Sequence, residues 1–118
     1  MSETREPTVF ERIVAREIPA EIVAETERVI AFQDIAPKAP VHVLVVPKTA
    51  AYRDVVELAA GDPGLLAEVV DLASRIGAER AGGQFRLVFN TGAAAGQTVF
   101  HVHAHVLAGF GQGDHVGF

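Results

Sequence analysis

The sequence predicts an α+β domain in which an antiparallel sheet packs against one long helix. Three observations carry that prediction. Short β-prone runs follow one another with connections that favour hairpins over crossovers. One long stretch, opened by Asp62-Pro63 and closed by Gly82-Gly83, has the apolar spacing of a helix. The segment His101-Val102-His103-Ala104-His105 alternates polar with apolar residues at the period of a strand.

Taken in order, residues 1–7 read as a flexible tail and residues 110–118 as a Gly-rich one, leaving a single domain over 8–109. Val9, Phe10, Ile13 and Val14 have helical spacing, which predicts a helix reaching Glu17 and ended by Pro19. Ile22–Glu25 and Val29–Phe32 read as short strands around a turn at Glu27-Arg28. Asp34 to Pro40 is a Pro-punctuated loop, and Val41–Val46 is a strand closed by Pro47. Residues 52–59 suggest a short helix. In the long helix Asp62 is the expected N-cap and Pro63 the first helical residue, and Leu65, Leu66, Val69, Val70, Leu72, Ala73 and Ile76 form a broad apolar face. Phe85–Asn90 and Phe100–Leu107 read as strands pairing antiparallel across the loop Thr91–Thr98.

At 118 residues, with 49% hydrophobic, the chain can bury a core of its own. It has no cysteine, which excludes disulfides, thiol catalysis and Cys-based zinc sites. The polar start Met1–Glu6 is unlike a secretory signal, and no run nears the ~20 apolar residues of a membrane span. A cytoplasmic protein without a membrane partner is expected. The net charge of −5 is scattered, with no basic stripe, so a nucleic-acid partner is not expected. A single nucleotide is different, because backbone amides can hold phosphate without a basic surface.

Three of the five histidines fall within residues 101–105, and on a strand all three face one side. Three readings compete. An exposed, coincidentally His-rich strand is the blandest. A metal site is the second, but neighbouring rings stand about 6.8 Å apart along a strand and the outer two about 13.6 Å. Zinc needs ligand nitrogens at about 2.0–2.1 Å, so two of them with His42 or His115 would be required. No carboxylate follows closely, and no metal or other cofactor is expected. The third reading is nucleophilic and acid–base chemistry, which imidazole performs near neutral pH. The loop leading into the histidines favours this one, because Gly92, Gly96, Gln97 and Thr98 can cradle a phosphate.

The segment His101–Leu107 resembles the histidine triad pattern His-φ-His-φ-His-φ-φ, where φ is apolar. The resemblance extends from Thr8 to Gly109 through Phe32–Ile35, Ala39–His42, Val45–Lys48, Asn90–Gly92 and Gly96–Thr98. The chain looks like the Hint branch of nucleoside phosphoramidases. That resemblance implies a homodimer in which two five-stranded sheets join. It also implies hydrolysis of purine nucleoside 5′-monophosphate conjugates through a nucleotidyl intermediate on His103. His105 would contact the phosphate and leaving group, with Thr98 nearby, while His42 and His101 orient the nucleophile. Asp34 would hold the ribose and Ile35 touch the base. Asn90, Gly96 and Gln97 match phosphate positions, and Phe10, Ile13, Phe32 and Leu44 match the purine pocket.

Each of these residues has a plainer reading. Asp34 before a Pro-rich loop is ordinarily a turn carboxylate. The four apolar pocket residues would be core by default, Asn90 a turn former, and His42 a satisfied core histidine. The triad reverses the reading for His42. The chain departs from its resemblance at the carboxy terminus, where it lacks the tryptophan many relatives carry; Phe118 or His115 could replace that contact. Rival functions are dinucleoside polyphosphate hydrolysis, nucleotidyl transfer, or nucleotide binding by a partner protein.

Overall fold

The structure, a computed structural model, describes residues 6–110. Most of the expected amino-terminal tail, and the carboxy-terminal residues 111–118 with His115 and Phe118, lie outside the described residues. The chain runs α1 (Val9–Val14), β1 (Ile22–Glu25), β2 (Val29–Gln33), β3 (Val41–Pro47), α2 (Val55–Gly61), α3 (Pro63–Ala81), β4 (Arg86–Val88), a 3₁₀ turn at Ala93–Ala95 and β5 (Ala104–Ala108). The five strands form one antiparallel sheet in the order β1-β2-β3-β5-β4. This is the α+β architecture the sequence predicts. Among the described residues no helix is long and apolar enough to cross a membrane.

Helix ends follow their local signals. The Asp62 side chain accepts from the Leu65 amide, Pro63 opens α3, and Gly82 closes it in the left-handed region at φ 60°. The first helix differs from expectation, ending at Val14, well before Pro19. Arg16 takes a left-handed φ of 61°, and the Arg16 and Glu17 amides bond back to the Ile13 and Arg12 carbonyls. That double bond is a Schellman closure made without glycine.

The last two strands are shorter than predicted, and for a connected reason. β5 begins at Ala104, opposite Val45, so residues 100–103 leave the ladder. Pro47 has no amide proton to continue the pairing. The Val102 amide turns instead to the Tyr52 carbonyl at 3.0 Å. β4 pairs only as far as Val88 with His105, one residue short of the start of β5. Side-chain alternation survives the departure. Val102, Ala104 and Val106 join Val43, Val45 and the α3 residues Leu65, Val69, Leu72, Ala73 and Ile76 in the main core. On the opposite face Phe10 and Ile13 of α1 cover Ile30, Phe32, Leu44 and Val46 in a second, smaller cluster. The histidines lie beside that smaller cluster.

Candidate active site

Cross-strand pairing brings the histidines together. His105 stands opposite Leu44 on β3, and His42 opposite Leu107. The His42 and His105 rings meet with Nε2 and Nδ1 3.0 Å apart. His103 lies next to His105 at a centroid distance of 5.1 Å, and the Phe10 ring meets His103 edge-on at 4.8 Å. His42, His101 and His103 are all buried.

Hydrogen bonds assign the protons. A carbonyl only accepts, so His103 Nδ1 carries a proton toward the His101 carbonyl at 2.9 Å. In the neutral ring Nε2 is then the lone-pair nitrogen. The His101 Nε2–H likewise donates to the Pro47 carbonyl at 2.7 Å, while its Nδ1 lies 3.1 Å from the Thr8 hydroxyl. The Lys38 amide donates to His42 Nδ1 at 3.0 Å, leaving the His42 proton on Nε2. His42 therefore donates to His105 Nδ1, and the neutral His105 holds its own proton on Nε2.

Burial keeps these rings neutral. It lowers the basicity of His103, opposed in part by the bond to the His101 carbonyl. His42 is lowered by the same cause, against the pull of Asp34. His105 is pushed down to about 4, first by burial and then by its neighbours His103 and His42. A neutral imidazole with an exposed lone pair is a nucleophile at neutral pH.

A cavity of about 700 Å³ opens onto His103 and His105, within the size range of small-molecule sites. Phe10, Ile13, Phe32 and Leu44 line it together with Asp34, Ile35 and Thr98. Ile35 is almost fully exposed. Glu21, Gln33 and Val99 also line it and were not singled out from the sequence, since nothing in their spacing marks them. The Asp34 Oδ1 accepts from the Ala36 amide, the turn role of its plainer reading, while Oδ2 lies 3.4 Å from His42 Nε2.

The phosphate-loop candidates divide. Gly96, at φ 93°, needs the left-handed freedom of glycine to close the 3₁₀ turn. Asn90 Nδ2 donates to the Ala95 carbonyl and so braces this loop. The Gln97 carboxamide is buried and fully engaged, donating to the Arg53 and Val99 carbonyls and accepting from the Gly92 amide. In this structure Gln97 ties the loop together rather than reaching into the cavity. Thr98 faces the cavity, and no hydrogen bond links it to another described residue.

Asp34, His42 and His105 place one ligand atom each within 4.8 Å of one another, so a carboxylate does join two histidines, contrary to the sequence reading. The arrangement is nonetheless a hydrogen-bond chain. His42 would have to surrender its Nε2 proton to ligate through that atom while Nδ1 accepts from Lys38.

A HIT-domain family model matches residues 15–112. An uncharacterized HIT-like protein of Synechocystis sp. is 46% identical over 108 residues, 88% of this chain and 91% of its own. The purine nucleoside phosphoramidase of Escherichia coli K12 is 38% identical over 107 residues, 88% of each chain. A solved HIT family hydrolase from Clostridium thermocellum superposes with a TM-score of 0.86 at 42% identity, over 96% of this chain and 99% of that one. With its histidines set as described and these likenesses spanning nearly its full length, the chain belongs to the HIT family.

Proposed function

We propose that the protein hydrolyses purine nucleoside 5′-phosphoramidates through a nucleotidyl intermediate on His103. One observation carries the reading. The His101 carbonyl holds the His103 proton on Nδ1, which leaves Nε2 as a lone pair in a ring beside a nucleotide-sized cavity. The similarity to the E. coli phosphoramidase supports the choice of substrate class.

In the first step His103 Nε2 attacks the α-phosphorus. The P–N bond to the leaving amine breaks, and the departing nitrogen takes the Nε2 proton of His105. In the second step water attacks phosphorus and returns a proton to His105 Nε2 as the P–Nε2 bond breaks. Nucleoside 5′-monophosphate is released and the neutral His103 is restored. The base would lie among Phe10, Ile13, Phe32 and Leu44 with the ribose at Asp34. Thr98 and the braced loop around Gly96 would face the phosphate. A homodimer belongs to the same reading and is checked by light scattering.

The test incubates purified protein with adenosine 5′-phosphoramidate and follows AMP release, with diadenosine polyphosphate and His103→Ala protein in parallel. AMP release from the phosphoramidate by wild type alone, with an adenylylated intact chain trapped by mass spectrometry, is the expected result. Preferential cleavage of the polyphosphate would move the substrate class. No cleavage of either, despite nucleotide binding, would leave a binding protein.

A further inference from the structure

The Thr8 hydroxyl sits between two structures that are distant in the sequence. It accepts from the Glu11 amide at 3.1 Å, while Glu11 returns a carboxylate oxygen to the Thr8 amide at 2.8 Å, so the pair forms a capping box for α1. The same oxygen lies 3.1 Å from Nδ1 of His101, which is 93 residues away. Because the Pro47 carbonyl takes the Nε2 proton of His101, the neutral ring presents a bare Nδ1, and the Thr8 hydroxyl is the donor. His101 is fully buried, so its Nδ1 is served by a protein donor rather than by solvent.

We infer that Thr8 is a positioning residue for the reaction. By donating to His101 it fixes the ring and the carbonyl that hold the His103 proton on Nδ1, and it joins them to the helix that walls the base pocket. The inference rests on the phosphoramidase reading, and it adds a coupling. Phe10, two residues beyond Thr8, touches the rings of both His101 and His103 as well as Phe32. Seating of α1 and readiness of the nucleophile thus depend on one hydroxyl. Without it, His101 can exchange its tautomer by giving up the Pro47 bond. Its carbonyl then no longer holds the His103 proton in place, and a proton on His103 Nε2 makes that ring inert.

Helix capping and the histidine link call for different chemistry. A carboxylate caps a helix as well as a hydroxyl does, but it cannot donate to Nδ1. Thr8→Ser keeps both functions, Thr8→Asp keeps only the cap, and Thr8→Val keeps neither. The experiment measures kcat and KM for adenosine 5′-phosphoramidate, the melting temperature, and imidazole ¹⁵N spectra that report each histidine tautomer. Thr8→Ser should stay within about twofold of wild type in kcat, while Thr8→Asp and Thr8→Val should lose about 5- to 10-fold, the usual worth of one buried hydrogen bond. KM should change by less than about twofold. Thr8→Val, which loses the cap as well as the link, should melt earliest, and both defective variants should show protonated Nε2 on His103. Wild-type kcat and an unchanged His103 tautomer in Thr8→Asp would overturn the inference, whatever the melting temperatures. If wild type fails to cleave the substrate, the phosphoramidase reading falls, and the tautomer spectra still decide the role of Thr8.

Discussion

The two faces of the sheet are built from alternate residues of the same segments, yet they are finished differently. Toward α2 and α3, Val102, Ala104 and Val106 meet a continuous apolar layer. Toward α1, His101, His103 and His105 meet a cluster of only six buried residues under a six-residue helix. The long helix covers the centre of its face with buried apolar residues. The short one covers only part of its face, and the remainder is the cavity at His103. Stability and chemistry are thus separated by a period of two rather than by a domain boundary. Substitutions one residue apart should therefore fail in different ways.

The largest effect belongs to the histidine face. Replacing His103 with Ala removes the proposed nucleophile and should lower kcat/KM by more than about 10⁴-fold. The melting temperature should move by only a few degrees, since one hydrogen bond and the ring contacts with Phe10 and His105 are lost. A parallel loss of fold and activity, measured by calorimetry beside turnover, would break the separation.

The opposite outcome is expected across the sheet. Ile76 is 1% exposed in the middle of the main core. Ile76→Ala should cost about 2–5 kcal/mol of unfolding free energy in urea titrations, because it leaves a cavity the helix cannot close. Turnover per folded molecule should stay within about twofold of wild type. A fall in kcat beyond that would mean the two faces communicate through the sheet.

Between these extremes, exposed cap positions test whether the helix ends are independent of the site. Asp62→Ala removes the acceptor for the Leu65 amide and one partner of Arg28. The expected loss is about 1 kcal/mol, with no change in KM.

The comparison also shows what could be read without coordinates. The caps of α3, the five strand segments and the facing of the three histidines follow from end residues and periodicity, which are local signals. The shortened β5 does not, because it depends on the missing amide proton of Pro47, which is far from β5 in the chain. Pairing of His42 with His105 is likewise a matter of register, which is set by the whole ladder rather than by either residue. Gln97 is expected at the phosphate from its place in the Gly-rich loop and from the family resemblance, while its partner Arg53 is distant in the chain. The Thr8–Glu11 capping box was not expected from the sequence, and its reach to His101 joins residues far apart in the chain.

The smallest effect is the response to pH, and it belongs to the histidine face alone in its upper range. An unfolded histidine takes a proton near 6.5, whereas folded His105 does so only at about 4, and His42 and His103 are lowered in the same direction. Between those values the unfolded chain binds more protons than the folded one, so stability falls as the pH drops below about 6.5 and is flat above it. The carboxyls of Glu25, Glu57 and Asp62 are held below their ordinary values of 4.5, 4.5 and 3.8, and their stabilisation is lost only at lower pH. The interval from pH 6.5 to 5 therefore isolates the histidines. Because His105 is partly exposed, its share should be well below the cost of the Ile76 truncation. Urea titrations across that interval should show a positive slope of stability with pH, and His105→Asn should make it shallower. An unchanged slope in that variant would place the titration elsewhere. A slope that vanished altogether would mean that His42 and His103 contribute nothing of their own, and that the three rings titrate as one unit through the His42–His105 bond.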